Sequence, residues 1–291
     1  MLWYTETLHP RWRQTLLVKE VLYHSNTGLQ EIVVFEHEDW GRVLVLDGAL
    51  QLTTEDEFVY HEMLAHVPIL AHGAARHVCV VGGGDGGTLR EVCRHRSVER
   101  VTHVEIDPGV IEFCRKYFPE LSGGAFDDPR YELVVADGAK YMAGDGPAFD
   151  VIIVDSTDPQ GPGAVLFTAE FYAACRRRLA PGGILVTQTG NPAIEKQELV
   201  DTQRNKRRAG FRDVFFYVCA VPTYIGGFMS LGWATDEPAH RQLDLETLRG
   251  RFAETGIQGL RYYTPEIHWA SFRPPPHLVA LAAKAAETEA D

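Results

Sequence analysis

Cysteine is scarce, and each one is isolated. Five stand at 79, 93, 114, 175 and 219 of the 291-residue chain, no two within four residues of each other. That spacing excludes a Cys-x-x-Cys redox pair and a zinc ribbon, and it fits a reducing compartment. Cys79 and Cys219 sit in apolar, strand-like runs and are expected to be buried thiols. Positive charge is also thin: 28 Lys and Arg stand against 40 Asp and Glu, a net charge of −12. The densest basic patch, RNKRR at 204–208, reads as the solvated face of a helix. Nucleic acid is therefore not an expected partner, because neutralising phosphates needs clustered cations. Long hydrophobic runs are missing too. MLWYTETLHPRW at the start has no apolar signal-peptide core, and no 18-residue apolar run occurs. No membrane partner and a cytoplasmic location are the expectations.

What is present is enough apolar residue, 45%, to build a core. Residues 1–53 read as an N-terminal β-strand domain. RQTLLVKEVLYH, LQEIVVFEH and GRVLVLDGALQL form strands, separated by NTG and DWG turn signals. Residues 54–291 read as a second, larger domain. Thr54 with Glu57 spells a capping box opening a helix to about Ala71, with Pro68 kinking or ending it. From Arg76 onward strands and helices alternate: HVCVVG, RVTHVEI, YELVVA, FDVIIVD and GILVTQ are near-continuous apolar strands. Such strands, with helices between them, mean a parallel sheet covered on both faces. FFYVCAV and FMSLGWAT, joined through PTYIGG, suggest an antiparallel ending. The expected fold class is α/β, a Rossmann-like sheet of the class I methyltransferase type with a small N-terminal antiparallel β-domain. The polar tail AAKAAETEAD is expected to fray.

CVVGGGDGGTLREV (79–92) carries a G-x-G-x-x-G pattern at Gly82, Gly84 and Gly87, with Asp85 inside the loop. In an open α/β sheet, ligands lie beyond the carboxyl ends of the strands. The residues there are Asp85, Glu105, Asp137, Asp155 and Gln188, four acids out of five. Glu105, 23 residues past Gly82, is placed to accept hydrogen bonds from an adenosine ribose. Asp137 and Gly138 could take an adenine edge. Asp85 would repel a diphosphate but favours a sulfonium or an ammonium. The ligand implied is an S-adenosyl compound with a cationic tail. Decarboxylated S-adenosylmethionine, which has lost the methionine carboxylate, fits an acid-rich loop best.

FDVIIVDSTDPQGP (149–162) places Asp155 and Asp158 three residues apart just after a strand. Two such carboxylates can bind a cation, or one can act as base while the other orients. HEMLAH (61–66) misses the zinc-protease spacing, its second histidine falling at 66 rather than 65.

Taken together, GGGDGG, VEID, ADG, DSTDPQGP, PTYIGG, Gln30, LDGALQLTTEDEFVYHEM and RYYTPEIHWASF resemble the polyamine aminopropyltransferases, over nearly the whole chain from Tyr4 to Pro276. The resemblance implies an aminopropyl transfer from decarboxylated S-adenosylmethionine to a diamine such as putrescine, with no prosthetic group and no metal. It implies Asp155 as proton acceptor, and Asp155, Ser156, Thr157 and Asp158 holding the polyamine. Asp85 and His61 would contact the polyamine or aminopropyl arm, flanked by Tyr60 and Tyr224, with Gln188 nearby. Gln30, Glu105, Asp137, Gly138, Pro162 and Gln51 would hold the nucleoside. Small-molecule substrates and a homodimer or homotetramer, joined through the N-terminal strands, are the partners implied. The segment TQTGNPAIEK (187–196) would border the acceptor channel.

Overall fold

The computed structural model describes residues 1–26, 28, 30–159 and 161–287, with 161, 162 and 287 described by backbone alone. The N-terminal run breaks into more strands than its turn signals suggest. β1 (Leu2–Thr5) pairs antiparallel with β2 (Thr15–Val18). β3 (Glu20–Asn26), β4 (Glu31–His37), β5 (Gly41–Leu46) and β6 (Ala49–Thr53) follow as a four-stranded antiparallel sheet in that order. GRVLVLDGALQL is thus two strands, not one. Asp47 (φ 49°) and Gly48 (φ 79°) both take the left-handed conformation, which a two-residue hairpin turn with the strands' own twist requires. One face of this sheet buries Ile32, Val34, Leu44 and Leu52 against Phe113, Phe118 and Leu121 of the larger body.

α1 (Glu57–His72) follows, but not through the expected capping box. The Thr54 hydroxyl accepts from the Arg42 amide at 3.1 Å instead, and the Glu57 carboxylate turns to His61 and Arg90. Asp56 stands at the N-cap position, and its carboxylate accepts from the Thr53 hydroxyl and the Thr223 amide. Pro68 does not end the helix, which runs on to a left-handed Gly73. Residues 59–71 of α1 are all buried, so packing on every side outweighs the one backbone hydrogen bond that proline forfeits.

The remaining elements build a seven-stranded sheet. In chain order they are β7 (His77–Gly82), α2 (Gly87–Cys93), β8 (Arg100–Glu105), α3 (Pro108–Tyr117), β9 (Tyr131–Val135), α4 (Gly138–Ala143), β10 (Phe149–Asp155), α5 (Ala169–Arg178), β11 (Leu179–Gln188), α6 (Lys196–Arg208), β12 (Asp213–Cys219) and β13 (Met229–Thr235). Three helices close the described chain: α7 (Leu245–Thr255), α8 (Pro265–Ser271) and α9 (Pro276–Glu287). Strand order is β9-β8-β7-β10-β11-β13-β12. The first five are parallel, and β13 runs antiparallel to both its neighbours. This is the mixed α/β sheet read from the apolar runs, antiparallel ending included.

The central strands are apolar on both sides because both sides are covered. Val78, Val80, Val151 and Ile153 pack on α1 residues such as Met63 and Leu64. Cys79, Val81, Ile152 and Val154 pack on Met142, Phe171 and Cys175. Burying each such side chain contributes roughly 1.5–3 kcal/mol. Cys79 and Cys219 are buried as expected.

Two further expectations need correction. RNKRR is a solvated face only in part: Lys206 is fully buried at the end of the stripe Leu199, Thr202, Gln203, Lys206 that α6 turns to the sheet. Its ammonium group meets the Thr187 hydroxyl at 2.8 Å and lies over the Tyr172 ring, and burial pulls its pKa well below the ordinary lysine range. The tail does not fray at 282–287, since α9 continues to Glu287 with Ala282 and Ala285 buried. Residues 288–291 lie outside the described residues. Among the described residues no helix is long and apolar enough to cross a membrane.

Candidate active site

The chain leaves β7 in one direction to β8 and β9, then returns to add β10 on the opposite side. A crevice opens where strand order reverses, at the carboxyl ends of β7 and β10. Glycine brings the walls of that crevice together. A Cβ on Gly83 (φ 69°) would lie 2.7 Å from Asp155 Oδ2, and one on Gly87 would lie 2.3 Å from the His61 ring.

His61 stands one turn after Glu57 on α1. Its Nδ1 is 2.5 Å from Glu57 Oε2 and its Nε2 is 3.4 Å from Asp85 Oδ1. Glu57 is held from behind by Arg90, through bonds of 3.1 and 2.9 Å to its two oxygens. Burial favours the neutral ring, but Asp85 and Glu57 outweigh it and push His61 up to about 9. The site therefore contains a built-in imidazolium at neutral pH. Asp85 also accepts from the Gly87 amide at 2.7 Å, which fixes the carboxylate within its own loop.

Asp155, at the end of β10, accepts from the Tyr60 hydroxyl on Oδ1 at 2.9 Å and from the Thr88 hydroxyl on Oδ2 at 2.6 Å. Burial, then Asp85, raise its pKa, while His61 and the two hydroxyls oppose them. Tyr224 packs edge-on to Tyr60, ring centroids 6.2 Å apart, and donates to the Gln51 carbonyl.

Beyond Tyr224 lies a second acidic group. Asp158 accepts from Gln188 Nε2 at 3.1 Å, and Gln188 in turn accepts from the Gly190 amide. Carboxylate oxygens of Asp158, Glu195 and Glu198 lie within 4.8 Å of one another. Burial and Glu195 push Asp158 up to about 6; burial with Glu195 and Asp158 pushes Glu198 up to about 9. His9 approaches Glu195 at 3.7 Å.

At the opposite end Glu105 is buried, which pushes it up to about 7. Asp137 caps α4 through the Ala139 and Lys140 amides, and Gly138 admits Val81, whose Cγ1 would lie 2.5 Å from an added Cβ. Gln30 and Gln51 line the wall supplied by the N-terminal strands, and Ser156 and Thr157 complete the loop after β10. All the expected site residues therefore border one cavity of about 690 Å³, except Pro162, whose side chain lies outside the described residues.

Several site residues escaped the sequence reading. Glu57 was assigned to a cap, although its i, i+4 spacing to His61 signals a pair on one helix face. Glu195 lies within TQTGNPAIEK. Thr88, Glu6 and His9 carried no local signal. The lining contains the acids Glu6, Asp47, Asp85, Glu105, Asp107, Asp137, Asp155, Asp158 and Glu195, and no Lys or Arg among the described residues. His66 and Glu62 of HEMLAH are structural: His66 pairs with Glu91 and His95, and Glu62 accepts the amides of Arg261, Tyr262 and Tyr263.

Fold and site together define a methyltransferase-like α/β enzyme whose strand-end cavity suits an adenosyl ligand with a cationic tail. Residues 57–244 match the family model of the spermine/spermidine synthase domain, and residues 2–54 that of the spermidine synthase tetramerisation domain. A polyamine aminopropyltransferase of Pectobacterium carotovorum is 51% identical over 279 residues, 96% of each chain. One from Yersinia pseudotuberculosis is 52% identical over 278 residues, 96% of this chain and 93% of that one. A spermidine synthase crystallised with the transition-state analogue AdoDATO superposes with a TM-score of 0.90 at 39% identity, covering 97% of this chain and 95% of that one. The Thermotoga maritima spermidine synthase gives 0.89 at 38% identity, covering 98% and 95%. The chain belongs to the spermine/spermidine synthase family. It is an aminopropyltransferase.

Proposed function

We propose that the acceptor is putrescine, the products being spermidine and 5′-methylthioadenosine, and that Asp155 takes the proton. One observation carries the reading: nine acids and no Lys or Arg line the cavity among the described residues. A methionine carboxylate would find no Lys or Arg there, and both lining histidines already face carboxylates, His61 between Glu57 and Asp85 and His9 against Glu195. A bare aminopropyl arm and an alkyl diamine, both cationic, find acids at every turn.

In the reaction one amine nitrogen of the acceptor attacks the aminopropyl carbon next to the sulfonium. The C–N bond forms as the C–S bond breaks, and the electron pair stays on sulfur, which leaves as a neutral thioether. Only an unprotonated amine can attack. Freeing one at neutral pH costs about 5 kcal/mol for a group with pKa ~10.4. Asp155, made more basic by burial and by Asp85, accepts that proton. Asp158 and Glu195 neutralise the acceptor's far ammonium, and Glu105, Asp137, Gly138, Gln30, Gln51 and Pro162 hold the nucleoside. Alignment of amine, carbon and sulfur between Tyr60 and Tyr224 supplies much of the remaining rate.

The subunits form a homodimer or homotetramer in the cytoplasm, with residues 1–53 as the contact domain and 54–291 as the catalytic one. Trp3 and Trp12, each more than half exposed on the N-terminal segment, support this contact. The test mixes decarboxylated S-adenosylmethionine with equimolar putrescine, cadaverine, agmatine and spermidine, and identifies products by mass. Spermidine should dominate. Preferential use of another amine overturns the acceptor, and consumption of intact S-adenosylmethionine overturns the cosubstrate. Asp155→Asn should lose at least ~100-fold in turnover yet still bind methylthioadenosine in calorimetry.

A further inference from the structure

The two oxygens of Asp155 are not equivalent. Oδ1 meets the hydroxyl of Tyr60, which lines the cavity. Oδ2 meets the hydroxyl of Thr88, which is fully buried and stands behind the glycine loop. Gly83 presses on the same oxygen, since a Cβ there would lie 2.7 Å from Oδ2. Oδ1 thus sits beside a hydroxyl that lines the cavity, and Oδ2 beside one that does not. We propose that Thr88 is a positioning residue for the transfer: its hydroxyl ties Asp155 Oδ2 to the start of α2, fixes the carboxylate plane, and leaves Oδ1 as the oxygen that receives the amine proton. This rests on the reading of Asp155 as the proton acceptor.

A hydroxyl donating to a carboxylate stabilises the charged form, and so makes the base weaker as well as better placed. Other groups face Asp155: Tyr60 and His61 on α1, Asp85 in the glycine loop, and Tyr224 before β13. None of them is altered by replacing Thr88 with the isosteric valine. Loss of one hydrogen bond to a charged group corresponds to about one pH unit.

The experiment measures kcat/KM for putrescine against pH at saturating decarboxylated S-adenosylmethionine, in the wild type and in Thr88→Val, Thr88→Ala and Thr88→Ser. The acid limb should move up by about one unit in the valine and alanine variants and return to its original place in the serine variant, with methylthioadenosine affinity within ~2-fold throughout. Alanine keeps the test open should the valine variant not fold. Superimposed profiles for wild type, valine and alanine overturn the role of Thr88, as does a serine variant that behaves like valine. Parallel loss of methylthioadenosine binding also overturns it, because Thr88 would then be shaping the glycine loop. Asp155→Asn separates the two levels: if it is inactive while the limbs superimpose, only the Thr88 assignment fails, and near-normal turnover in it removes the base assignment itself.

Discussion

Replacing Asp85 with asparagine isolates the charge argument. The amide keeps an oxygen for the Gly87 amide, so the loop retains its 2.7 Å hydrogen bond, but the negative charge is gone. The His61 ring shows how closely a cation can approach this carboxylate: 3.4 Å, with the two side chains only 3% and 17% exposed. At ~4 Å, attraction between unit charges is about 1 kcal/mol in water and about 4 at an effective dielectric of 20. A cavity open at one side falls between, at ~1.5–3 kcal/mol, or roughly 10–100-fold in affinity for the cationic cosubstrate. Neutral methylthioadenosine should change by less than ~3-fold. The loss should itself depend on pH. Asp85 is one of the two carboxylates that hold His61 up to about 9, so in the variant the imidazolium gives up its proton at lower pH. At pH 6 both proteins carry the cation and the full loss appears. At pH 8.5 the variant has shed part of it, one positive charge fewer offsets one negative charge fewer, and the loss narrows. Calorimetry of both ligands at the two pH values reads this directly. Equal losses for the two ligands, or a loss that grows from pH 6 to 8.5, refute the reasoning.

Other outcomes follow from the displaced carboxyl groups. Burial pushes Glu105 up to about 7, and ribose hydroxyls bond best to its ionised form, so methylthioadenosine affinity should weaken as pH falls from 8 to 6; Glu105→Gln should bind weakly at both, and an unchanged affinity in wild type removes Glu105 from the ribose site. Glu198, pushed up to about 9, loses stability as pH rises from its ordinary range near 4.5 toward that value, because the unfolded chain releases the proton first. Glu198→Gln should therefore raise Tm by ~2–4 °C at pH 8 and by nothing measurable at pH 4. A lowered Tm at pH 8 contradicts this.

Much of the catalytic layout was legible because it depends on backbone rules. VCVV and VIIV are apolar in runs too short for helices, glycines follow the first, and acids follow both. Those patterns sufficed to put Asp85, Glu105, Asp137 and Asp155 around one crevice. What escaped depends on contacts distant in sequence. Pro68 marks a helix end by local rule, yet α1 passes through it because the core encloses the helix. Lys206 sits in a charged run, and nothing near it reveals that Thr187 of β11 lies beneath it. Thr54, three residues before Glu57, suggests a cap by local rule, whereas Glu57 is held by Arg90, whose approach is fixed by how α1 meets α2. Glu6 and His9 reach the cavity only because the N-terminal hairpin folds back over the strand ends.

That fold-back has a practical consequence. Glu6 and His9 border the same cavity as Glu195, and Glu6 is anchored there by the Leu50 amide and the Gln14 side chain. On the proposed reading, the floor of the acceptor channel is thus made from the loop between β1 and β2. Any alteration that displaces this segment, such as a trimmed start, a bulky fusion or a reshaped neighbour contact, would be felt as a change in which amine fits, far from the bond being made.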